Sequence, residues 1–361
     1  MTARTVLVMA GGTGGHIFPA LAVAEALRTR GWHPVWLGAC GKMEANLVPK
    51  YGIHLELLPV SGVRGKGFAR FLKLPFEQFK ALRLALAVLR QHQPAAVIGF
   101  GGFTGFPGGV AAWLTGRPLL IHEQNSVAGL TNRLLALLAR RVLTAFPGVF
   151  AHRAELVGNP IREEIRQVAA PAARFAGRSG PLRLLVVGGS LGAAALNEAV
   201  PRALARLPAD TRPQVRHQAG ASQIEALRRH YQEAGVEGDC VAFIDDMASA
   251  YAEADLVICR AGALTISELA AVGVASVLVP LPHAVDDHQT GNARYLAKAG
   301  AAVLLPQAEA TPERLAALLA ELDRARLLSM AEAARGLARP NATEAVVRAI
   351  EELFAKPRQS V

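Results

Sequence analysis

His16 is the one titratable side chain in a run that otherwise offers little but backbone. Gly11, Gly12, Thr13, Gly14 and Gly15 precede it, directly after the apolar stretch 5–10. Glycines let a ligand approach the main chain closely. Residues 17–29 then read as a helix, so the run presents amide N–H groups at a helix N-terminus, where phosphate or another anion is favoured. An imidazole titrates near neutral pH, which makes His16 a candidate general base. Taken alone, it could equally cap the helix or satisfy a backbone carbonyl. The device recurs at Gly188, Gly189, Ser190, Leu191 and Gly192, between the apolar run 182–187 and a helix expected over 192–206. Two such loops suggest two nucleotide-fold domains facing a shared cleft.

Three further clusters have the chemistry of a binding site. Residues Arg260 to Glu268 place a helix start at the end of an expected strand, 255–259. Amides of 263–265 there can meet a diphosphate, Thr265 can add a hydroxyl, and the Glu268 carboxylate can accept two hydroxyl hydrogens, as a ribose diol would offer. Its other reading is an acid stabilised by the helix dipole alone. His122, Glu123, Gln124 and Asn125 end a strand at 118–122, where open α/β sheets bind ligands. They either hold a sugar or satisfy the loop's own backbone. Asp286, Asp287, His288 and Gln289 have metal-like composition without a second cluster at ligand spacing, so no metal is expected there.

Known glycine fingerprints do not fit. Ile17 stands where a dinucleotide loop needs its third glycine, and the second strand ends Val35–Gly38 without a ribose-binding acid. No Walker GK[ST] occurs. Redox and P-loop nucleotide chemistry are thereby disfavoured.

The elements that must carry these loops follow from the patterning. Short Val/Leu/Ile runs are expected as strands at 5–10, 34–37, 54–60, 95–99, 118–122 and 142–145, and again at 182–187, 214–218, 240–243, 255–259 and 275–279. They alternate with helices over 17–29, 75–91, 129–139, 192–206, 222–234, 264–272, 291–299, 311–335 and 342–355. A glycine loop spans 99–109, a Gly/basic loop spans 61–67, a hinge spans 157–162, and 169–181 reads as a loop. This alternation implies parallel sheets with right-handed crossovers in each half. A chain of 361 residues, 52% hydrophobic, is long enough for two cores. The expected domains are 1–160 and 161–341, with a terminal helix in 342–361 packing back on the first. No stretch is apolar enough to span a membrane, and no signal peptide is read at the N-terminus. Cys40, Cys240 and Cys259 are widely spaced and fit a reduced cytosolic protein.

Charge divides unevenly. Residues 1–160 hold 17 Lys and Arg against 6 Asp and Glu, whereas the remainder is nearly neutral. The first half therefore faces an acidic partner. Arg64, Lys66, Arg70, Lys73, Lys80, Arg83 and Arg90 oppose only Glu77 within 64–90. On a helix over 75–91, Lys80, Arg83 and Arg90 share a stripe beside Phe76, Phe79, Leu82 and Leu86. That pattern suits an anionic membrane surface; a packed helix with a solvated basic stripe is the other reading. No nucleic-acid module is recognisable, so nucleic acid is not expected as a partner.

Seven separated motifs together resemble the MurG family of bacterial glycosyltransferases: GGTGGHIFPALAVAEAL (11–27), GFGGFTGFPGG (99–109), HEQNSVAGLTNR (122–133), GNPIRE (158–163), GGSLGAAALNEAV (188–200), FIDDMASAYAEADLVICRAGALTISELAA (243–271) and DDHQTGNA (286–293). The resemblance runs from about residue 5 to 355 and implies a GT-B fold, two Rossmann-like domains with a cleft between them. It implies transfer of N-acetylglucosamine (GlcNAc) from UDP-GlcNAc to the C4 hydroxyl of MurNAc in lipid I, with inversion, giving lipid II for peptidoglycan. By motif position the donor would contact Thr13, Gly14, Gly15, Asn125, Arg162, Ser190, Ile244, Ala263, Leu264, Thr265, Ile266, Ser267, Glu268 and Gln289. Uracil would fall to the Ile244 backbone, ribose to Glu268, and diphosphate to Ser190 and 263–265. Gly101, Gly102, Phe103 and Thr104 would meet the acceptor or its pyrophosphate. Phe76, Phe79, Lys80, Leu82 and Arg83 would meet the anionic inner leaflet, at the cytoplasmic face of the cell membrane. No cofactor is implied; other cell-wall synthesis and division proteins are implied as partners. His288 stands where the family often has glutamine, which leaves its role open. A UDP-GlcNAc 2-epimerase or another lipid glycosyltransferase is the nearest alternative on the same fold.

Overall fold

Strands buried on both faces are continuous apolar runs, and parallel strands need long crossovers, usually helical. Both signatures appear twice. The computed structural model describes residues 4–60, 68–189, 192–282, 284 and 287–354, with side chains from residue 76 onward in the helix Phe68–His92. It divides into one unit of Met1–Arg162 with Pro340–Val361 and a second of Glu163–Arg339.

In the first unit the described strands are β1 (Thr5–Met9), β2 (His33–Ala39), β3 (His54–Leu58), β4 (Ala96–Gly99), β5 (Leu119–Glu123), β6 (Arg141–Thr144) and β7 (Ala154–Leu156). They form one parallel sheet in the order β3-β2-β1-β4-β5-β6-β7. The two-residue period of β1 sorts its side chains. Val6 and Val8 enter a core with the helices Gly14–Thr29 and Ala342–Glu351, through Ile17, Val23, Val346 and Ile350. Leu7 and Met9 enter the opposite core with Ala81, Ala85, Ala111 and Leu135, from the helices Phe68–His92, Gly105–Leu114 and Leu130–Leu135. The C-terminal helix is held by charge as well: Arg30 pairs with Glu344 and Glu351, and Arg141 bridges Glu155 and Glu352.

The second unit carries β8 (Arg183–Val187), β9 (Gln214–Gln218), β10 (Asp239–Val241), β11 (Leu256–Cys259), β12 (Ala275–Leu278) and β13 (Ala302–Leu304), all parallel, in the order β10-β9-β8-β11-β12-β13. Cys40, Cys240 and Cys259 carry free thiols. Burial pushes the Cys259 thiol up to about 12, leaving it inert. No helix among the described residues is long and apolar enough to cross a membrane.

Several expected boundaries move. The first helix begins at Gly14, so Gly14, Gly15 and His16 form its first turn rather than a preceding loop. The glycine run 99–109 turns helical at Gly105. The region 169–181 contains the short helix Pro171–Phe175, started by proline at its first position. The single helix expected over 311–335 is two, Pro312–Glu321 and Arg324–Gly336, because Asp323 caps the second by accepting the Arg326 N–H. Strands β7 and β13 were not foreseen. The Gly/basic loop 61–67 lies outside the described residues.

Each unit buries a neutral histidine, with a consequence for acid stability. His122 is fully buried, donating from Nε2 to the Gly158 carbonyl at 2.9 Å, and burial lowers its pKa to about 4. His217 donates to Asn197 Oδ1 and accepts from the Tyr231 hydroxyl, both at 3.1 Å, and burial lowers its pKa to about 3. An unfolded histidine takes its proton near pH 6.5. The contribution of each is therefore complete above that pH and is lost as pH falls toward the folded value. Between pH 7.5 and pH 5, each histidine should cost roughly 2 kcal/mol of stability. Urea midpoints measured at the two pH values should fall; unchanged midpoints would contradict the neutral burial.

Candidate functional site

Both sheets reverse strand order beside their first strand. In open α/β sheets, ligands bind outside the carboxyl ends of the strands at such a switch point. In the first unit that point lies between β1 and β4, where the runs after Met9 and after Gly99 meet. In the second it lies between β8 and β11, where the runs after Val187 and after Cys259 meet.

The two runs of the first unit interlock through bare backbone. Gly101 and Gly102 have φ of +98° and +90°, and a Cβ on Gly102 would lie 2.5 Å from the Gly11 carbonyl oxygen. Only glycine permits both the conformation and the approach. The His16 ring lies against Gly101, with Cδ2 and Nε2 each 3.2 Å from where a Cβ would be. His16 Nδ1 is 3.3 Å from the Gly11 carbonyl oxygen. A carbonyl only accepts, so Nδ1 carries the proton and Nε2 of the neutral ring keeps its lone pair. Thr13 is the N-cap residue by position, but its side chain makes no capping bond. Phe103 is half-exposed, its ring over Gly12. Thr104 faces inward, fully buried, donating its hydroxyl to the Leu37 carbonyl at 3.2 Å. The acceptor expectation for 101–104 thus narrows to Gly101, Gly102 and Phe103, with Thr104 holding the loop.

Glu44, which sequence reasoning missed, braces the first glycine run from below. Fully buried, its carboxylate accepts the Gly12 N–H at 3.1 Å and the Ala39 N–H at 3.0 Å. Any Cβ on Gly11 would collide with it. A buried carboxylate is tolerated when hydrogen-bonded in this way.

After β5, three of the four polar residues serve the chain itself. Glu123 accepts from the Asn125 N–H (3.0 Å), the Gly129 N–H (3.2 Å) and Asn132 Nδ2 (2.9 Å). Gln124 Nε2 donates to His122 Nδ1 and to the His122 carbonyl, both at 3.0 Å. The backbone reading therefore holds for His122, Glu123 and Gln124. Asn125 is half-buried at the loop's outer side, with Nδ2 donating to Glu123 Oε1 at 3.3 Å. Arg162 sits at the end of the first unit, its guanidinium 5.8 Å from the Phe18 ring centre on the first helix.

In the second unit, Gln218 at the end of β9 clamps the glycine run. Its Oε1 accepts the Gly189 N–H at 3.0 Å, while Nε2 donates to the Gly189 and Ala242 carbonyls at 3.1 and 3.0 Å. Gly189 and Gly192 take φ of +81° and +74°. Ser190 itself lies outside the described residues, as does Asp286. The helix Ala263–Val272 starts at β11's exit with Gly262 as N-cap, which supplies no side-chain acceptor. The amides of Ala263, Leu264 and Thr265 therefore have no partner within the helix. The Ile266 N–H already bonds the Gly262 carbonyl at 2.9 Å and its side chain is buried. Ser267 returns its hydroxyl to the Ala263 carbonyl at 3.0 Å. Both serve the helix, which leaves the amides of 263–265 as its open end. Glu268 is 5% exposed, with Oε2 accepting the Tyr251 hydroxyl at 3.2 Å. Ile244 is buried beside an exposed Phe243. Gln289, in the first turn of His288–Ala297, accepts the Leu281 N–H at 2.9 Å and so shapes the loop before its own helix.

On the helix Phe68–His92, Phe76, Phe79, Lys80 and Arg83 face solvent, whereas Leu82 packs against the core. Leu82 is thus removed from the expected surface patch, and exposed Leu84 stands nearer to it. The helix Gly105–Leu114 adds Trp113 and Leu114, and the helix Leu130–Leu135 adds Leu130 and Leu134, all exposed. Sequence periodicity alone gave no sign that these lie on adjoining helices.

Comparison with known proteins places this geometry. The glycosyltransferase family 28 N-terminal domain matches residues 6–144, and the family 28 C-terminal domain matches residues 183–353. A UDP-N-acetylglucosamine–N-acetylmuramyl-(pentapeptide) pyrophosphoryl-undecaprenol N-acetylglucosamine transferase of Azoarcus sp. (strain BH72) is 63% identical over 350 residues, covering 97% of this chain and 98% of that protein. Its namesake in Cupriavidus metallidurans is 58% identical over 356 residues, covering 99% and 100%. The crystal structure of Acinetobacter baumannii MurG superposes with a TM-score of 0.86 at 44% identity, covering 97% of this chain and 99% of that one.

Proposed function

The chain belongs to the UDP-N-acetylglucosamine–N-acetylmuramyl-(pentapeptide) pyrophosphoryl-undecaprenol N-acetylglucosamine transferases, and we propose from its loops how it carries out that reaction. It is a GT-B glycosyltransferase of peptidoglycan synthesis that moves GlcNAc from UDP-GlcNAc to lipid I, forming lipid II. The observation that carries the residue assignment is the pair of switch-point loops, one offering an imidazole and the other an open helix end beside a buried carboxylate.

In our reading the second unit holds the donor. The Ile244 backbone receives uracil, Glu268 accepts the ribose hydroxyls, and the amides of Ala263–Thr265 with Ser190 receive the diphosphate. Gln289 adds a donor contact from the start of its own helix, and Thr13, Gly14, Gly15, Asn125 and Arg162 are assigned to the transferred sugar. The first unit holds the acceptor, with Gly101, Gly102 and Phe103 toward its sugar and pyrophosphate. The acceptor C4 hydroxyl attacks C1 of GlcNAc as the bond from C1 to the diphosphate oxygen breaks. Its proton passes to His16 Nε2, and the bonding electrons leave with UDP. Charge growing on that oxygen is stabilised by amides already pointing at it, so little reorganisation is needed. UDP release should require the acceptor: a coupled assay with UDP-GlcNAc and a lipid I analogue should show UDP only when both are present. Rapid conversion of UDP-GlcNAc without acceptor would instead favour the 2-epimerase reading.

The acceptor's lipid demands a membrane, and the helices bearing Phe76, Phe79, Trp113 and Leu130 beside Lys80, Arg83 and Arg133 suit an anionic one. We assign these helices to the cytoplasmic leaflet. Phe76→Ser with Phe79→Ser should reduce co-sedimentation with phosphatidylglycerol-containing vesicles several-fold. Unchanged sedimentation would remove the assignment.

A further inference from the structure

Away from the glycine loops, on edge strand β3, the first unit brings two imidazoles onto one carboxylate oxygen. His54 and Glu56 are two residues apart and so project from the same side of β3. His92, the last residue of the helix Phe68–His92, closes over them. His54 Nε2 lies 3.0 Å and His92 Nε2 2.7 Å from Glu56 Oε1. All three atoms fall within 4.8 Å of one another, and the two rings are 5.2 Å apart at 51°. Exposure rises from 16% at His92 through 25% at Glu56 to 53% at His54, so one side opens to water.

We propose that His54, Glu56 and His92 form a binding site for a borderline divalent ion, Zn2+ or a close neighbour, with water in the fourth position. Two imidazole nitrogens and one carboxylate oxygen are the donor set such ions prefer, whereas Ca2+ and Mg2+ take oxygen. Ligands about 2.1 Å from a tetrahedral ion stand about 3.4 Å apart. The nitrogen–oxygen separations here are already within about 0.7 Å of that figure, so small side-chain rotations suffice. The ion takes the place of the two Nε2 hydrogens, each ring turning to its Nδ1–H tautomer. Nothing in the transfer chemistry uses these groups. The ion ties the end of the helix that carries Phe76 and Phe79 to the edge of the sheet.

The test is a Zn2+ titration of chelator-stripped full-length protein in competition with a chromophoric zinc indicator. Wild type and His152→Ala, which alters an exposed histidine elsewhere, should each bind one ion per chain. His54→Ala and His92→Ala should lose at least about tenfold in affinity, since even groups outside the ligand shell are worth that much. Zn2+ should raise the Tm of wild type and not of these variants, while Ca2+ should raise neither. X-ray absorption of the wild-type zinc complex, independent of how the variants fold, should show imidazole nitrogen together with oxygen. No binding by wild type, equal binding by the His54 and His92 variants, or a spectrum without imidazole would overturn the site and leave a hydrogen-bonded cluster only.

Discussion

His16→Ala is expected to lower kcat by about 10²–10⁴-fold with both substrates saturating, the usual worth of a positioned general base. KM for UDP-GlcNAc should change far less, because the groups assigned to uracil, ribose and diphosphate lie on the other unit. The ring is held by two features of the backbone, the Gly11 carbonyl at Nδ1 and the face of Gly101. His16→Gln refills most of that space and can still donate to Gly11, but it cannot take a proton at neutral pH. The same loss of kcat in both variants separates proton transfer from packing. In wild type, kcat should fall on the acid side as the imidazole becomes protonated, and that limb should vanish in either variant. A His16→Ala enzyme with near-normal kcat would end the assignment.

Glu268→Ala should act on the other side of the reaction. A carboxylate bonding to hydroxyls contributes about 1.5–3 kcal/mol, so KM for UDP-GlcNAc should rise by roughly 10–100-fold. The same carboxylate accepts the Tyr251 hydroxyl at 3.2 Å, and alanine would leave that buried hydroxyl without its acceptor. Some stability is therefore lost with the ligand contact. Glu268→Gln keeps an oxygen for Tyr251 but weakens the ribose contact, and Tyr251→Phe removes the internal bond while leaving the carboxylate in place. The KM effect should be large in Glu268→Ala, intermediate in Glu268→Gln and small in Tyr251→Phe. Equal KM values for wild type and Glu268→Ala would separate Glu268 from the donor.

The reach of sequence reading differs with the kind of interaction involved. Long apolar runs and the Gly–helix junctions were legible because both are local: 5–10 and 182–187 become β1 and β8, and each feeds its glycine run. Strands β7 and β13 are three residues each, too short for a period to register. The helix Gly105–Leu114 reads as a loop from its Gly and Pro content. Yet Gly108 and Gly109 are there because Met9, Leu37 and Leu135 leave no room for a Cβ. Such helix–sheet closeness is a tertiary cause that no window of sequence contains.

The site divides in the same way. His16, Glu268 and the helix start at 263–265 stand out as candidates from residue type and position. The residues that brace the loops do not. Glu44 acts on Gly12, 32 residues away, and Gln218 acts on Gly189, 29 residues away, both through backbone amides that have no residue signature. His122 and Glu123 looked like ligand residues because loops that bind sugars and loops that satisfy themselves use the same polar side chains. His92 reaches Glu56 across 36 residues, so its metal-like spacing exists only in the folded chain.

The most direct test of the single-displacement mechanism is the linkage in the product. Incubated with UDP-GlcNAc and a lipid I analogue, the wild-type enzyme should yield a disaccharide whose new bond is β-1,4 to MurNAc, seen by NMR as a large anomeric proton coupling, with one UDP released per bond. An α-linked product, or label that remains in a nucleotide sugar epimerised at C2, would contradict direct attack of a His16-deprotonated hydroxyl on C1.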